Sequence, residues 1–408
     1  MQIAVVGSGV AGLVVAHRLH PRHQVTLFEA DDRIGGHVHT VPLAGFGALR
    51  NVDTGFIVYN ETNYPRFTAL LAELGVATEP TSMSFSVRAD ATDLEYNGSS
   101  IEQLFVQRRN LVRPSFYRML RDIARFNRAA PRDVESGRAT GTLGEYLDAN
   151  RYGIELRRDY LIPMGSALWS LPPASVLEMP VVFFVQFFSN HGMLSVNRRP
   201  EWRVVSGGSQ RYVDALVAPF RDRIRLETRV TAVRRSAGCV TVNGERFDQV
   251  VLACHSDDAL AMLADPTSAE NEVLGALPYQ ENDVVLHSDD SLLPKRRAAW
   301  GSWNYLVGNE ADAPAIVTYN MNMLQGLEAP VTFCVSLNAS ERIRPESVYR
   351  RLRYRHPVYT VAGMAAQARH HEISTGRTHY CGAYWGYGFH EDGVRSADRV
   401  VAAIEAGA

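Results

Sequence analysis

Lysine is nearly absent from this chain: of 42 basic residues in 408, Lys295 is the one lysine and the rest are arginine. Any chemistry that needs a side-chain amine therefore has one position to use. Cysteine is equally sparse. Cys239, Cys254, Cys334 and Cys381 are widely separated and form no C-x-x-C pair, which excludes a disulfide framework and a thiolate metal site. They are expected to be small apolar core residues in a reducing compartment, and no metal site is expected. Long apolar runs are missing too. The most hydrophobic stretch, Met179 to Phe188, is half the ~20 residues that a membrane-spanning helix needs. An excess of positive charge is also lacking. The net charge of -2 argues against global attraction to nucleic acid, and no nucleic-acid partner is expected. No leader is expected before the apolar strand Gln2 to Val6, so the expected location is cytoplasmic, with room for peripheral contact with the inner face of a membrane. Repeats and low-complexity linkers are absent.

The 46% hydrophobic and 21% charged residues are ordinary for a globular protein with a sizeable core, and the length suits two domains or one with an insertion. The start of the chain is not ordinary. "MQIAVVGSGVAGLVVAHRL" places Gly7, Gly9 and Gly12 in G-x-G-x-x-G spacing, after an apolar strand and at the opening of a helix. Gly7 permits the tight turn, Gly9 leaves no side chain between backbone and a pyrophosphate, and Gly12 lets helix and strand pack closely. The helix N-terminus attracts the phosphates. A second strand, "QVTLF", ends at Glu29, placed to accept hydrogen bonds from ribose hydroxyls.

A dinucleotide held only by this unit would be satisfied at Glu29. Here Arg33 and the pair Gly35-Gly36 follow at once, so further backbone approaches a more extended cofactor, which favours FAD over NAD. The pattern Glu29-x-x-x-Arg33-x-Gly35-Gly36 is similar to the signature of the flavin amine oxidase and phytoene desaturase superfamily. "WRVVSGGSQRYVDALV" resembles that superfamily's central Gly-Gly segment. "RIRLETRVTAVRRSAGCVTVNGERFDQVVLAC" resembles the strands that bring Val230 against the adenine. "THYCGAYWGYGFHEDGVRSADRVVAAI" resembles the closing flavin segment. The closing glycines can approach a flat ring, and a helix starting near Gly393 would aim its positive end at the flavin. The superfamily often has an acid after the glycine equivalent to Gly382; here it is Ala383, and Glu391 or Asp392 is the expected substitute for the ribityl contact. In amine oxidases the residue after the glycine pair is commonly arginine; here it is His37.

The fold implied is α/β: a discontinuous Rossmann-type, glutathione-reductase-like FAD domain (1–80, 200–270 and 375–408) with an inserted α+β substrate domain (81–199 and 271–374) of the amine oxidase type. The first inserted piece is expected to be largely helical, including "IEQLFVQRRNLVRPSFYRMLRDIARFNRAA", and the second strand-rich, including "NDVVLHS", "AIVTYNM" and "VTFCVSLN". The expected cofactor contacts are Gly7, Ser8, Gly9, Val10, Ala11, Gly12, Glu29, Ala30, Arg33, Gly35, Gly36, His37, Thr40, Thr54, Gly55, Val230, Cys254, Gly388, Glu391, Asp392, Gly393 and Val394. FAD is expected to be non-covalent, Cys381 being the nearest thiol to the closing segment. His390, Tyr387 and His39 are the expected catalytic candidates.

"RIGGHVHTV", "VDTGFIVYNETNYP", "RPEWRVVSGG" and "WGYGFHEDG" also resemble a narrower bacterial group of flavoproteins. That group includes the fatty acyl desaturase of furan fatty acid biosynthesis, and its members often accompany cyclopropane-fatty-acid-synthase-like methyltransferases. The resemblance implies dehydrogenation of an unsaturated or methyl-branched acyl chain of a lipid, with such a methyltransferase as a partner. Amine oxidation, and a non-catalytic flavoprotein role beside the methyltransferase, are the alternatives. Arg118, Arg121, Arg125 and Arg128 recur at helical spacing and are compatible either with a lipid-facing surface or with an ordinary solvated face.

Overall fold

A computed structural model of the chain describes residues 1–46, 49–195, 200–308, 315–374 and 376–407. Arg199, which opens the Arg-Pro-Glu-Trp stretch, and the expected boundaries at 199 and 375 lie outside the described residues. The first sheet is parallel, in the order Ile224–Arg225, Gln24–Phe28, Gln2–Val6, Gln249–Leu252 and Thr378–Tyr380. Its strands come from the beginning, middle and end of the chain. Both faces are covered, so both sides of each central strand are apolar. Ile3, Val5, Val25, Leu27 and Val251 lie in one core with residues of the helices Val10–Leu19, Gln210–Val217 and His390–Ala406. Ala4, Val6, Phe28, Val250 and Leu252 form the other, with the antiparallel strands Val233–Arg235, Val240–Val242 and Glu245–Phe247.

The second sheet has seven strands, ordered Val348–Pro357, Tyr279–His287, Cys334–Leu337, Ile316–Asn320, Trp303–Leu306, Phe85–Ala89 and Leu94–Asn97. The three strand-like runs expected after 271 are strands. The earlier piece is not helix alone, because Phe85–Ala89 joins this sheet parallel to Trp303–Leu306. The long helical stretch expected from Ile101 is broken into Ile101–Leu104, a 3-10 turn at Arg108–Val112 and the helix Pro114–Glu135. Pro114 is the cause: it disfavours helical backbone in the preceding residue, and Arg113 is extended. The phenylalanine run forms the helix Val181–Asn190, with Phe183, Phe184, Phe187 and Phe188 all buried in one aromatic core. The closing helix starts at His390, three residues before Gly393, because Asp392 accepts the Phe389 N–H at 3.1 Å and fixes the first turn. Among the described residues no helix is long and apolar enough to cross a membrane.

One fully buried carboxylate joins segments remote in sequence. Thr40–Leu43 pairs antiparallel with Arg50–Asp53, and Asp53 accepts the Ser209 N–H at 3.0 Å, the Ser209 hydroxyl at 3.0 Å and the Gln325 side-chain amide at 3.1 Å. Thr40 Oγ1 donates to it at 2.5 Å, and its own N–H donates to Gln325 Oε1 at 2.9 Å. Asp53→Ala leaves several buried donors without an acceptor. The expected loss is about 3 kcal/mol or more of unfolding free energy, with a smaller loss for Asp53→Asn, read from denaturant midpoints. Equal midpoints for Asp53→Ala and wild type would show that the junction forms without it.

Candidate active site

The glycine turn lies at the carboxyl end of the parallel sheet, where open α/β sheets bind ligands. Each glycine answers a different constraint. Gly7 has φ +103°, and a Cβ there would lie 3.0 Å from the carbonyl oxygen of Ala253 at the end of the neighbouring strand. A Cβ at Gly12 would lie 2.0 Å from the Gly7 carbonyl oxygen, so the protein's own backbone demands that glycine. A Cβ at Gly9 meets nothing within 4 Å, and Gly9 has φ -67° and ψ 172°, open to any residue. The fold does not require glycine at that position, and its absence of a side chain leaves the backbone open to a ligand.

Glu29 is tied to this turn. Its Oε2 accepts the Ser8 N–H at 2.8 Å and the Ser8 hydroxyl at 2.6 Å, while Oε1 accepts the Asp31 N–H at 2.9 Å. Ser8 Oγ in turn accepts the Gly35 N–H at 3.1 Å. Gly36, with φ +59°, packs so that a Cβ would lie 2.9 Å from the Gly9 Cα. The second glycine pair therefore stacks on the first turn, as the extended signature requires. Arg33 does not project outward in this structure. It donates to the Val38 carbonyl at 3.0 Å and the Gly36 carbonyl at 2.6 Å, clamping its own loop. Ala30 is exposed beside Glu29, and Val230 is buried against Phe28 and Val6. Cys254 follows the neighbouring strand, and burial pushes its thiol up to about 12, leaving it unreactive.

The closing segment meets this turn from the other side. A Cβ at Gly393 would lie 2.7 Å from Val10 Cγ1, so the N-termini of the helices Val10–Leu19 and His390–Ala406 converge. Val394 is buried in the same core. Gly388 has φ +90°, and a Cβ there would lie 2.3 Å from the Tyr359 hydroxyl. The two acids expected near the ribityl chain are held by backbone groups. Asp392 accepts the N–H groups of Tyr387 at 2.9 Å and Phe389 at 3.1 Å and pairs with Arg395 at 2.5 Å; burial pushes its carboxyl up to about 6. Glu391 accepts the N–H groups of Arg66 and Phe67, each at 3.0 Å, and so caps the helix Pro65–Glu73 from outside.

Hydrogen bonds among the described residues do not join the three expected catalytic residues. The His390 ring stacks on Phe56 with centroids 3.5 Å apart, and its Nε2 is 2.8 Å from the Tyr212 hydroxyl; burial pushes its pKa down to about 3. Tyr387 lies in the aromatic wall, 4.7 Å from Phe183 between centroids, with its hydroxyl donating to Gln186 at 3.4 Å. The backbone of His39 accepts from Thr54 N–H at 3.0 Å, while its Nδ1 is buried without a partner. Thr40 serves Asp53, and Thr54 Oγ1 is 3.0 Å from the Tyr354 hydroxyl. Gly55 is forced by packing, since a Cβ would lie 2.0 Å from the His37 carbonyl oxygen.

His37 gathers residues that the sequence reading missed. Its ring lies 5.0 Å from Tyr354, 5.2 Å from His356 and 6.0 Å from His255. Burial and the neighbouring histidines hold it well below the usual imidazole range, hence neutral, and its Nε2 is buried with no hydrogen-bond partner among the described residues. The hydroxyls of Tyr359 and Tyr384 and the indole N–H of Trp385 are likewise buried and unpartnered. In Val348–Pro357, Arg351 and Arg353 are exposed while Leu352, Tyr354 and His356 are more enclosed; that period-two alternation was the available signal. His255, Asp257 and Asp258 lie close together, but Arg355 already pairs with both carboxylates. The open flank of Gly9, the two convergent helix N-termini and the orphaned polar atoms suit a dinucleotide carrying a polar ring system. The residues present fit FAD.

The family described as flavin containing amine oxidoreductase matches residues 10–293. A Mycobacterium tuberculosis protein named as a candidate flavin-containing monoamine oxidase, AofH, is 26% identical over 342 residues, covering 79% of this chain and 71% of that one. Cyclohexylamine oxidase from Brevibacterium oxydans IH-35A superposes with a TM-score of 0.71 at 16% identity, covering 100% of this chain and 99% of that one. A fatty acid isomerase that produces CLA, from P. acnes, superposes with a TM-score of 0.69 at 15% identity, covering 98% of this chain and 97% of that one. At these identities the two structures show the fold alone.

Gly9→Val is expected to fold and melt like the FAD-free wild type yet to bind FAD at least ~100-fold more weakly, read as flavin content and by titration of the apoprotein. Wild-type affinity in that variant would remove the pyrophosphate from this turn. A pH dependence also follows. Burial holds His191 and His356 down to about 4 and His390 to about 3, from the usual 6.5. Their contribution to stability is present above 6.5 and lost as pH falls through 4, whereas the raised Asp53 and Asp392 lose theirs as pH rises through about 6. Buried imidazoles outnumber these two carboxyls, so Tm is expected to fall steadily from pH 6.5 towards 4. A Tm that stays flat or rises over that interval would contradict the neutral histidine core.

Proposed function

The chain belongs to the flavin-containing amine oxidoreductase family and is a FAD-dependent oxidoreductase, and from that premise we propose that it dehydrogenates an unsaturated or methyl-branched acyl chain of a membrane lipid. One observation carries the choice of substrate: the side chains packed against Tyr387 and Phe389 of the closing loop are mostly rings. Phe183 stacks on Tyr359 at 4.5 Å between centroids and meets Tyr387 at 4.7 Å, while Phe187 stacks on Phe389 at 4.8 Å. Met164, Leu168 and Met364 pack against the same cluster. Such a cluster suits hydrocarbon, which gains from burial, and offers an amine ring faces but no counter-charge. Lys295 is elsewhere, 60% exposed and 3.1 Å from Asp90, so no lysine serves this wall.

When bound, FAD supplies the acceptor for the hydride removed from a substrate C–H bond. The chain's own residues orient and dry the reacting carbon. The aromatic wall excludes water, and Gly388 lets the loop backbone pass close to Tyr359. The neutral His37, with an unpartnered Nε2 among the described residues, is better placed to hydrogen-bond a bound group than His390, whose ring is committed to Tyr212 and Phe56. The burial of Cys381 in the core of the parallel sheet supports FAD held without a covalent link.

The narrower resemblance to the group containing the furan fatty acid desaturase supports the acyl reading, and with it a cyclopropane-fatty-acid-synthase-like methyltransferase as the source of a methyl-branched substrate. Amine oxidation is the second reading, favoured by the names of AofH and cyclohexylamine oxidase. Anaerobic mixing separates the two. Phospholipid bearing methyl-branched monounsaturated chains is expected to bleach the flavin absorbance, and a panel of primary amines and polyamines is expected to leave it unchanged. Rapid bleaching by an amine with none by lipid would replace the acyl reading with the amine one. Re-oxidation with oxygen, a quinone or a protein acceptor then identifies the electron acceptor.

A further inference from the structure

The exposed apolar residues of this chain are not scattered. Of eight large exposed hydrophobic side chains among the described residues, four fall between 101 and 117: Ile101 at 81% exposure, Leu111 at 46%, Val112 at 82% and Tyr117 at 47%. They are neighbours in space as well. The Tyr117 hydroxyl donates to the Leu111 carbonyl at 2.9 Å, and the Phe105 ring lies 6.3 Å from Tyr117 and one turn from Ile101. Isolated apolar side chains on a surface need no explanation, whereas a contiguous group rimmed by charge marks an interaction site.

The rim is arginine. From 101 to 138 the chain has nine arginines against four acids, on a protein whose total charge is -2. On the helix Pro114–Glu135, Tyr117, Arg121, Arg128 and Arg132 are spaced by four, seven and four residues. They share one stripe, opposite the buried Phe116, Met119, Phe126 and Ala130. A surface groove of about 580 Å³ runs along this face, lined by Arg121, Arg125, Arg128, Arg132 and Arg138, with Asp133 the one acid on its wall. Asp133 is engaged by Arg138 and Tyr146, and neither Arg128 nor Arg132 has an ion pair among the described residues. The acids that would quench this face are therefore few and mostly occupied.

We propose that this face docks on an anionic phospholipid bilayer, with the lipid phosphates in the arginine groove and Ile101, Leu111, Val112 and Tyr117 entering the headgroup boundary. The helix is long enough, at 22 residues, to lie flat on the surface, and each basic residue near an anionic membrane adds about 1 kcal/mol of attraction. Planar guanidinium groups suit phosphate oxygens better than ammonium groups do. The docking does not depend on what the enzyme oxidises.

The test uses the FAD-loaded full chain and vesicles with saturated acyl chains, so that binding is read without turnover. Flotation is expected to carry the protein with vesicles of equal parts phosphatidylcholine and phosphatidylglycerol at low salt, not with phosphatidylcholine alone, and less at near-molar salt. Arg128→Ala with Arg132→Ala is expected to weaken partitioning about 25-fold, on the order of fivefold per arginine. Leu111→Glu with Val112→Glu is expected to abolish it, with the flavin spectrum unchanged in both variants. No flotation of wild type with the anionic vesicles, or equal flotation of wild type and both variants, overturns the proposal. So does retention by duplex DNA with none by the vesicles.

Discussion

A buried carboxylate carries much of the long-range order of this molecule. Asp53 has no solvent exposure, and its donors come from Thr40, from Ser209 at a separation of 156 positions and from Gln325 at 272. A parallel sheet whose strands arrive from three parts of the chain has no short hairpins to fix their relation, so its assembly depends on contacts between remote segments. Asp53 supplies such contacts at one point. It holds the turn at Gly207-Gly208, where φ is +77° and +103°, against the hairpin Thr40–Asp53, and holds both to Gln325 beyond the short helix Met321–Leu324. Burial raises its carboxyl to about 6 despite those donors. Desolvation therefore outweighs the hydrogen bonds in setting its titration, and the loss of any one donor is felt in full.

The same economy of acids shapes the cofactor end. Two helix N-termini meet where Val10 touches Gly393, and converging positive ends repel unless something anionic lies between or beside them. The first helix has no acid in its first turn; the second has Glu391 and Asp392. Glu391 faces away, capping the helix Pro65–Glu73, while Asp392 is neutralised in part by Arg395 and by its own raised pKa. The positive potential at the junction thus suits a cofactor's pyrophosphate, for which the open backbone beside Gly9 leaves room.

Much of this end was legible in the sequence because each feature there is local. G-x-G-x-x-G, the strand ending at Glu29 and the pair Gly35-Gly36 fall within 30 residues, and their geometry is enforced by backbone approach that only glycine allows. The cluster around His37 was less legible for the opposite reason. His37, Tyr354, His356 and Tyr359 come together through pairing of strands far apart in sequence, such as Tyr279–His287 with Val348–Pro357. Nothing within "YRRLRYRHPVYT" marks a residue of this cluster except alternation with arginine. Two long side chains also have partners that spacing did not reveal: Arg33 donates to carbonyls of its own loop, and Glu391 accepts from the first turn of another helix. Side chains long enough to reach a cofactor are long enough to reach their own backbone, and spacing alone does not separate the two.

The scarcity of lysine connects the two ends of the molecule. A lysine buried near a reactive ring shifts its pKa and cycles protons, whereas arginine stays charged and is excluded from apolar walls unless paired. With one lysine, paired to Asp90 at the surface, the interior is left with imidazoles that burial keeps neutral and with unpartnered tyrosine hydroxyls and an indole N–H. The positive charge that a larger lysine content would have spread is concentrated instead as arginine, and a dense portion of it lies on Pro114–Glu135. The acids that are buried are held by donors or by arginine, as Asp53, Glu270 and Asp392 are. On the acyl reading proposed above, a chain drawn from an anionic surface would shed its contacts with charge before reaching the carbon to be oxidised, and the ring cluster of Phe183, Phe187, Tyr359 and Phe389 suits that end of the path.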